Sequence, residues 1–330
     1  MIKRLIAVFQ IFGLMVLVAV LAVAQNGQST DSKQIFPSAD HHQHLFSPAY
    51  LEFQAANLKP ILAQDVIALL DNAGIGRAAI LSTGYSYGKP GAEPPDEYAK
   101  VKAENDWTAA QVAMFPKRLV GFCGFNPLKD YALEELERCA KNPSLRHGIK
   151  LHFGNSDVQL EIPEHFEKLK RIFQTANSHH MAIVVHLRAS FSKKRPYGAE
   201  QARRFLELLS FAPDIPVQIA HLASAGPGYV DPPAYSVIEV LADAVAKKDS
   251  RTRKLYFDVA SNAFPTNPAE ANDLMVKLIR GIGVKRILYG SDAAAGGNLE
   301  PREAWQEFRK LKLSEKEIKT IAKNVAPYLR

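Results

Sequence analysis

The sequence predicts a (β/α)8 TIM barrel, a single α/β domain, on three observations. Eight short apolar runs, rich in β-branched and aromatic residues, recur along the chain with helical periodicity between them. Their starts lie about 30 to 40 residues apart, the spacing of βα units in a parallel sheet. The first run leads into His44-Leu45-Phe46-Ser47-Pro48 without a G-x-G-x-x-G turn, which argues against the rival doubly wound dinucleotide fold.

The elements follow in order. Strands are expected near 38–45, 77–83, 118–125, 147–152, 181–187, 216–222, 254–260 and 285–291. Helices are expected over 61–73, 98–115, 131–140, 166–176, 199–211, 235–246, 268–279 and 302–311. A last helix spans 314–326 and stops before Pro327, with Ser314 and Glu317 spaced as a capping box.

Composition fits this class. The chain has 330 residues, 47% hydrophobic and 23% charged, which is globular rather than disordered. A formal charge of +7 is modest for the size and implies no nucleic-acid partner. Two cysteines exclude a disulfide-built scaffold and a four-cysteine zinc module. Cys123 falls in strand three and Cys139 near the end of the next helix. A bridge between them is conceivable, but the preferred reading is two buried free thiols.

Residues 1–24 read as a secretory signal peptide. Met1-Ile2-Lys3-Arg4 is basic, Leu5 to Val23 is apolar except for Gln10, and Ala22-Val23-Ala24 fits a cleavage site. A retained membrane anchor is the alternative, since the run nearly suffices to span a bilayer. The expectation is an exported chain, periplasmic or secreted, with no stable membrane insertion once the signal is removed. Residues 25–36 form a polar lead-in, and 37–330 form the barrel domain.

In such barrels, catalytic residues sit at the C-terminal ends of strands. Strand one reads Asp40-His41-His42-Gln43-His44, and period-two alternation puts Asp40, His42 and His44 on one face and His41 and Gln43 on the other. Strand five ends at His186, strand six at His221 and strand eight at Asp292. Four imidazoles and a carboxylate at one mouth suit a divalent ion, zinc first and manganese as the alternative. An open coordination position would make the site catalytic, with water activated near neutral pH. His41, His147, His165, His179 and His180 fall off this face or on helices and read as structural. Asp258, inside strand seven, is expected to hydrogen-bond within the barrel.

Asp40-x-His42-x-His44 with His186, His221 and Asp292 resembles the amidohydrolase superfamily, and more closely its amidohydrolase-related branch of lactonases, other hydrolases and nonoxidative decarboxylases. Gly148-Ile149-Lys150-Leu151-His152, Leu288-Tyr289-Gly290-Ser291-Asp292 and Ile321-Ala322-Lys323-Asn324-Val325-Ala326 carry the same likeness. The resemblance implies one metal held by His42, His44 and His186. It implies Asp292 as ligand or proton-transfer group, and His221 as the residue that polarises substrate or helps activate water. Two-metal relatives use a carboxylated strand-four lysine; Lys150 lies mid-strand and matches that position poorly.

Basic residues hint at the substrate. Arg188 shares the face of His186, and Lys150 and His152 share a face of strand four; all three are expected to bind a carboxylate-bearing small molecule. Lys193-Lys194-Arg195 reads as a solvated loop. The loops Gly84–Asp96 and Ala223–Pro233 follow strands and could cover the site. The leading expectation is a hydrolase acting on a lactone, ester or amide, and the runner-up is a nonoxidative decarboxylase. Barrels of this kind often pair, so a homodimer is a further expectation.

Overall fold

A computed structural model describes residues 35–294 and 297–330. Eight strands run in the order β1 Ala39–Gln43, β2 Arg77–Leu81, β3 Leu119–Gly124, β4 Gly148–His152, β5 Ala182–His186, β6 Val217–Ile219, β7 Leu255–Asp258 and β8 Ile287–Leu288. Each pairs in parallel with its sequence neighbour, so spatial order equals chain order. Two backbone hydrogen bonds join the ends of this sheet. His41 N–H donates to the Tyr289 carbonyl at 2.9 Å, and Asp292 N–H donates to the His42 carbonyl at 2.8 Å. The expected (β/α)8 barrel is the observed fold, and all eight strands lie where the apolar runs place them.

Helices pack outside the sheet because their apolar faces need a partner. Helix Ala199–Leu209 buries Ala202, Phe205, Leu206, Leu208 and Leu209, and helix Pro163–Ser178 buries Phe166, Leu169, Ile172, Phe173 and Ala176. These residues meet the strands in one continuous apolar core. Strands of a parallel barrel are covered on both faces, which is why β5 reads as unbroken burial. Ser314 caps helix Glu315–Lys323 with the predicted box. Its hydroxyl accepts from Glu317 N–H, and its own N–H donates to the Glu317 carboxylate.

Two features depart from expectation. Cys123 and Cys139 form a disulfide rather than free thiols. The strand and the helix that follows it pack with Cα atoms 6.2 Å apart, inside the range a bridge spans. Short helices also occupy Pro48–Phe53 and Phe153–Ser156, directly after β1 and β4. Each is too short for its periodicity to register. The proposed signal peptide and most of the lead-in lie outside the described residues. Among the described residues, no helix is long and apolar enough to cross a membrane.

Candidate active site

The C-terminal ends of the strands enclose a cavity of about 170 Å³ whose wall includes His42, His44, Lys150, His186, His221 and Asp292. Ligand-capable atoms of His42, His44 and Asp292 lie within 4.8 Å of one another. The Asp292 carboxylate is 3.7 Å from His44 Nε2 and 3.9 Å from His42 Nε2. Its Oδ1 is buried without a hydrogen-bond partner, while Oδ2 accepts from Asn298 at 3.1 Å.

The tautomers of three imidazoles follow from their outer partners. His44 Nδ1 donates to the Leu81 carbonyl at 2.5 Å, and His221 Nδ1 to the Ala260 carbonyl at 2.9 Å. A carbonyl only accepts, so both Nδ1 atoms carry the proton. His42 Nδ1 donates to Asp258 Oδ2 at 3.1 Å. In neutral rings, all three Nε2 atoms are therefore bare lone pairs. Burial keeps these rings neutral. It pushes His42 down to about 3, with Lys150 lowering it further and Asp258 opposing. Burial likewise lowers His44, His221 and His186.

Asp258 is the residue that sequence reasoning undervalued. It also accepts from His221 N–H at 2.9 Å and from Gln218 at 2.6 Å. Burial alone would raise its pKa, but the adjoining His42 imidazole and the hydrogen bonds hold it below the usual carboxylate range. Thus one carboxylate orients the His42 imidazole and holds the backbone at His221. The available signal was its position on a short buried strand, opposite the site face of β1.

Lys150 enters the cluster rather than a separate substrate pocket. Its buried Nζ donates to His42 Nε2 at 3.3 Å. Burial lowers its pKa, with Asp292 and Asp258 opposing, whereas burial raises that of Asp292. His186 stands across the cavity, its ring 5.2 Å from that of His221 and stacked on His152 at 3.9 Å. It is not within the close group formed by His42, His44 and Asp292. His152 Nδ1 accepts from Asn155 N–H, so the neutral ring carries its proton on Nε2 as a donor.

Arg188 opens a second cavity of about 440 Å³ that shares His152 and His186 with the first. Its Nε donates to Asp231 at 2.7 Å. Its guanidinium lies over the rings of Phe191 at 3.8 Å and Tyr197 at 4.5 Å. Lys89 and Lys193 line the same space, so the antechamber is basic. The two long loops flank these cavities through Tyr85 and Ala225. Of the histidines set aside, His41 holds the barrel seam, bonding the Tyr289 carbonyl and accepting from Ala326 N–H.

Strain accompanies the site. His221, Ser261 and Asp292 adopt left-handed backbone at the ends of β6, β7 and β8. Non-glycine residues there cost roughly 1–3 kcal/mol each, and such strain gathers where side chains must be aimed. Glycine is required at Gly290 for another reason: a Cβ there would lie 2.8 Å from that of His42.

A parallel barrel bearing imidazoles and a carboxylate at its strand ends defines a class of barrel enzymes. The amidohydrolase family model matches residues 39–325, and the chain belongs to that family. No curated protein sequence matches it. Among solved structures, a 2,6-dihydroxybenzoate decarboxylase complexed with 2,6-dihydroxybenzoate is similar at 16% identity and TM-score 0.63, covering 89% of this chain and 99% of that one. A probable 2-pyrone-4,6-dicarboxylic acid hydrolase from Acinetobacter baumannii is similar at 15% identity and TM-score 0.58, covering 87% and 96%. A 5-carboxyvanillate decarboxylase from Sphingomonas paucimobilis is similar at 14% identity and TM-score 0.56, with the same coverage. These likenesses share the fold, and they include both hydrolases and decarboxylases.

Proposed function

We propose that this chain is a metal-dependent hydrolase of a small carboxylate-bearing lactone, ester or amide. The observation that carries the reading is the orphaned Asp292 Oδ1 beside the unprotonated Nε2 atoms of His42 and His44. A buried carboxylate oxygen without a partner is costly, and a cation would satisfy it. Neutral imidazoles and a carboxylate fit a divalent ion, with zinc preferred and manganese second. His42, His44 and Asp292 would hold it, with His186 on the same cavity wall as a further candidate ligand. When bound, such an ion polarises a carbonyl oxygen and lowers the pKa of water.

The chain's own groups supply the rest. Asp292, its carboxyl raised by burial, takes a proton from water and returns it to the leaving oxygen or nitrogen. His221 presents a lone pair on Nε2, which suits accepting a proton or hydrogen bond more than donating to a carbonyl. His152 Nε2–H is the available imidazole donor for substrate. Arg188, held by Asp231 and flanked by two rings, receives the carboxylate in the antechamber. The same arginine favours a second reading, a nonoxidative decarboxylase, in which Asp292 delivers its proton to the carbon bearing the carboxylate, the bond from that carbon to the carboxylate breaks and CO₂ leaves. The Cys123–Cys139 bridge supports export to an oxidising compartment.

Metal content of the purified chain by mass spectrometry, beside the His42→Ala/His44→Ala double variant, tests the site. About one ion per chain, absent from the folded double variant, is expected for a single-metal centre. A panel of carboxylated lactones and aromatic acids then separates the reactions. Acid release from lactones supports hydrolysis, CO₂ release supports decarboxylation, and an ion-free active enzyme overturns the metal reading.

A further inference from the structure

We propose that a third cavity, linked to the catalytic one through Thr83 and Glu104, binds a small organic ammonium ion. This cavity of about 630 Å³ has Glu104 in its wall together with Ser47, Tyr87 and Trp107. Glu104 lies on helix Glu97–Ala113 and is 2% exposed. Its carboxylate accepts from the Ser47 hydroxyl at 2.6 Å and the Thr83 hydroxyl at 3.0 Å. Hydroxyls are its only hydrogen-bond partners among the described residues, and no lysine, arginine or histidine there forms an ion pair with it. Burial raises its pKa, and the hydroxyls of Ser47, Thr83 and Tyr87 pull it back.

A buried carboxylate without a cation is an unbalanced charge, and each oxygen retains acceptor capacity beyond one hydroxyl. Lys100 and Asp96 line the same cavity, but they face each other at 3.8 Å and cancel in net charge. Glu104, when ionised, is then the one unmatched charge of this wall among the described residues. Tyr87 and Trp107 add aromatic surface, which attracts cations through the ring quadrupole. Carboxylate, indole and phenol beside Pro48, Ala49, Ala99 and Ala103 match a compact ammonium carrying apolar substituents. The sign is opposite to that of the Arg188 antechamber, so the two cavities select different ligands. Thr83 links the third cavity to the catalytic one: it lines the catalytic cavity and donates to Glu104.

Benzyltrimethylammonium titrated into the full chain at pH 8 by isothermal calorimetry tests the inference. Saturable binding at one site per chain is expected. Glu104→Gln should weaken it by about tenfold or more, the scale of one desolvated charge contact. Ala99 is an exposed residue of the cavity wall, so Ala99→Trp should fold normally and block the site even if Glu104→Gln does not fold. Neopentylbenzene, the neutral isostere with carbon in place of nitrogen, should bind the wild-type chain at least about tenfold more weakly. Absence of saturable binding, equal binding of the isostere, or unaltered binding by Ala99→Trp would overturn the proposal.

Discussion

Asp258 Oδ2 accepts the Nδ1 proton of His42 at 3.1 Å, and its Oδ1 accepts the backbone N–H of His221. One carboxylate on β7 therefore fixes side-chain orientation on β1 and backbone placement after β6. Outer partners of this kind are worth about 10–100-fold in metal affinity. Asp258→Ala is expected to weaken the metal site by that range while leaving the barrel folded. Competition against a chromophoric chelator, with circular dichroism as the folding control, reads the change.

The bridge between Cys123 and Cys139 spans 16 residues of sequence. A loop of that size stabilises the fold by about 3 kcal/mol in the chain-entropy account. Unfolded but unreduced protein should show no thiol toward a thiol reagent, and two after reduction. Reduction should also lower the melting temperature. Two reactive thiols without reduction would restore the free-thiol reading.

Gly290 permits the approach of β8 to β1. Gly290→Ala is expected to cost about 1–3 kcal/mol through overpacking against His42. The clash falls on the backbone that carries a proposed ligand, so metal occupancy should fall together with thermal stability. A destabilised variant that retained full occupancy would show that β1 absorbs the clash elsewhere.

Glu317 provides a pH-dependent test away from the site. Its bonds to Arg280 first, and to the Ser314 N–H and hydroxyl, lower its pKa to about 2. A depressed carboxyl contributes stability above its unfolded value and loses it as pH falls through the folded one. The window therefore runs from the ordinary value near 4.5 down to about 2. The Glu317 side chain is 21% exposed and that of its partner Arg280 49%, so screening limits the contribution to about 1 kcal/mol. Glu317→Gln should cost that much at neutral pH, with the difference from wild type vanishing below the window. Denaturant unfolding at several pH values measures it.

Arg188→Met should raise KM for a carboxylated substrate by about 10–100-fold, the loss of a charge-assisted contact. The effect should disappear with the corresponding methyl ester. An equal effect on both substrates would make Arg188 a packing residue beneath Phe191 and Tyr197.

The strands were legible because each is a short buried run flanked by helical periodicity, and barrel placement then located His42, His44, His221 and Asp292. What sequence could not show is set by folding at a distance. Leu81 and Ala260 act through backbone carbonyls, which side-chain identity does not advertise. The left-handed backbone at His221 and Asp292 follows from tertiary restraint, not from local preference. Asp258 looked like an interior polar residue because its partner lies 216 residues away. Strict alternation on β1 is also broken by an irregular register between Asp40 and Gln43. Asp40 consequently serves Ser291 and Gln43 instead of joining the imidazoles.

The seam between β1 and β8 sets a timetable for the molecule. His42 lies near the start of the described chain and Asp292 near its end, and the backbone bond between them is one of two that close the ring. During synthesis, the ribosome releases the imidazole half of the cage long before the carboxylate half exists. A fragment ending before β8 would display neutral histidines without the acid that completes their site. The proposed site is thus withheld until the last strand docks.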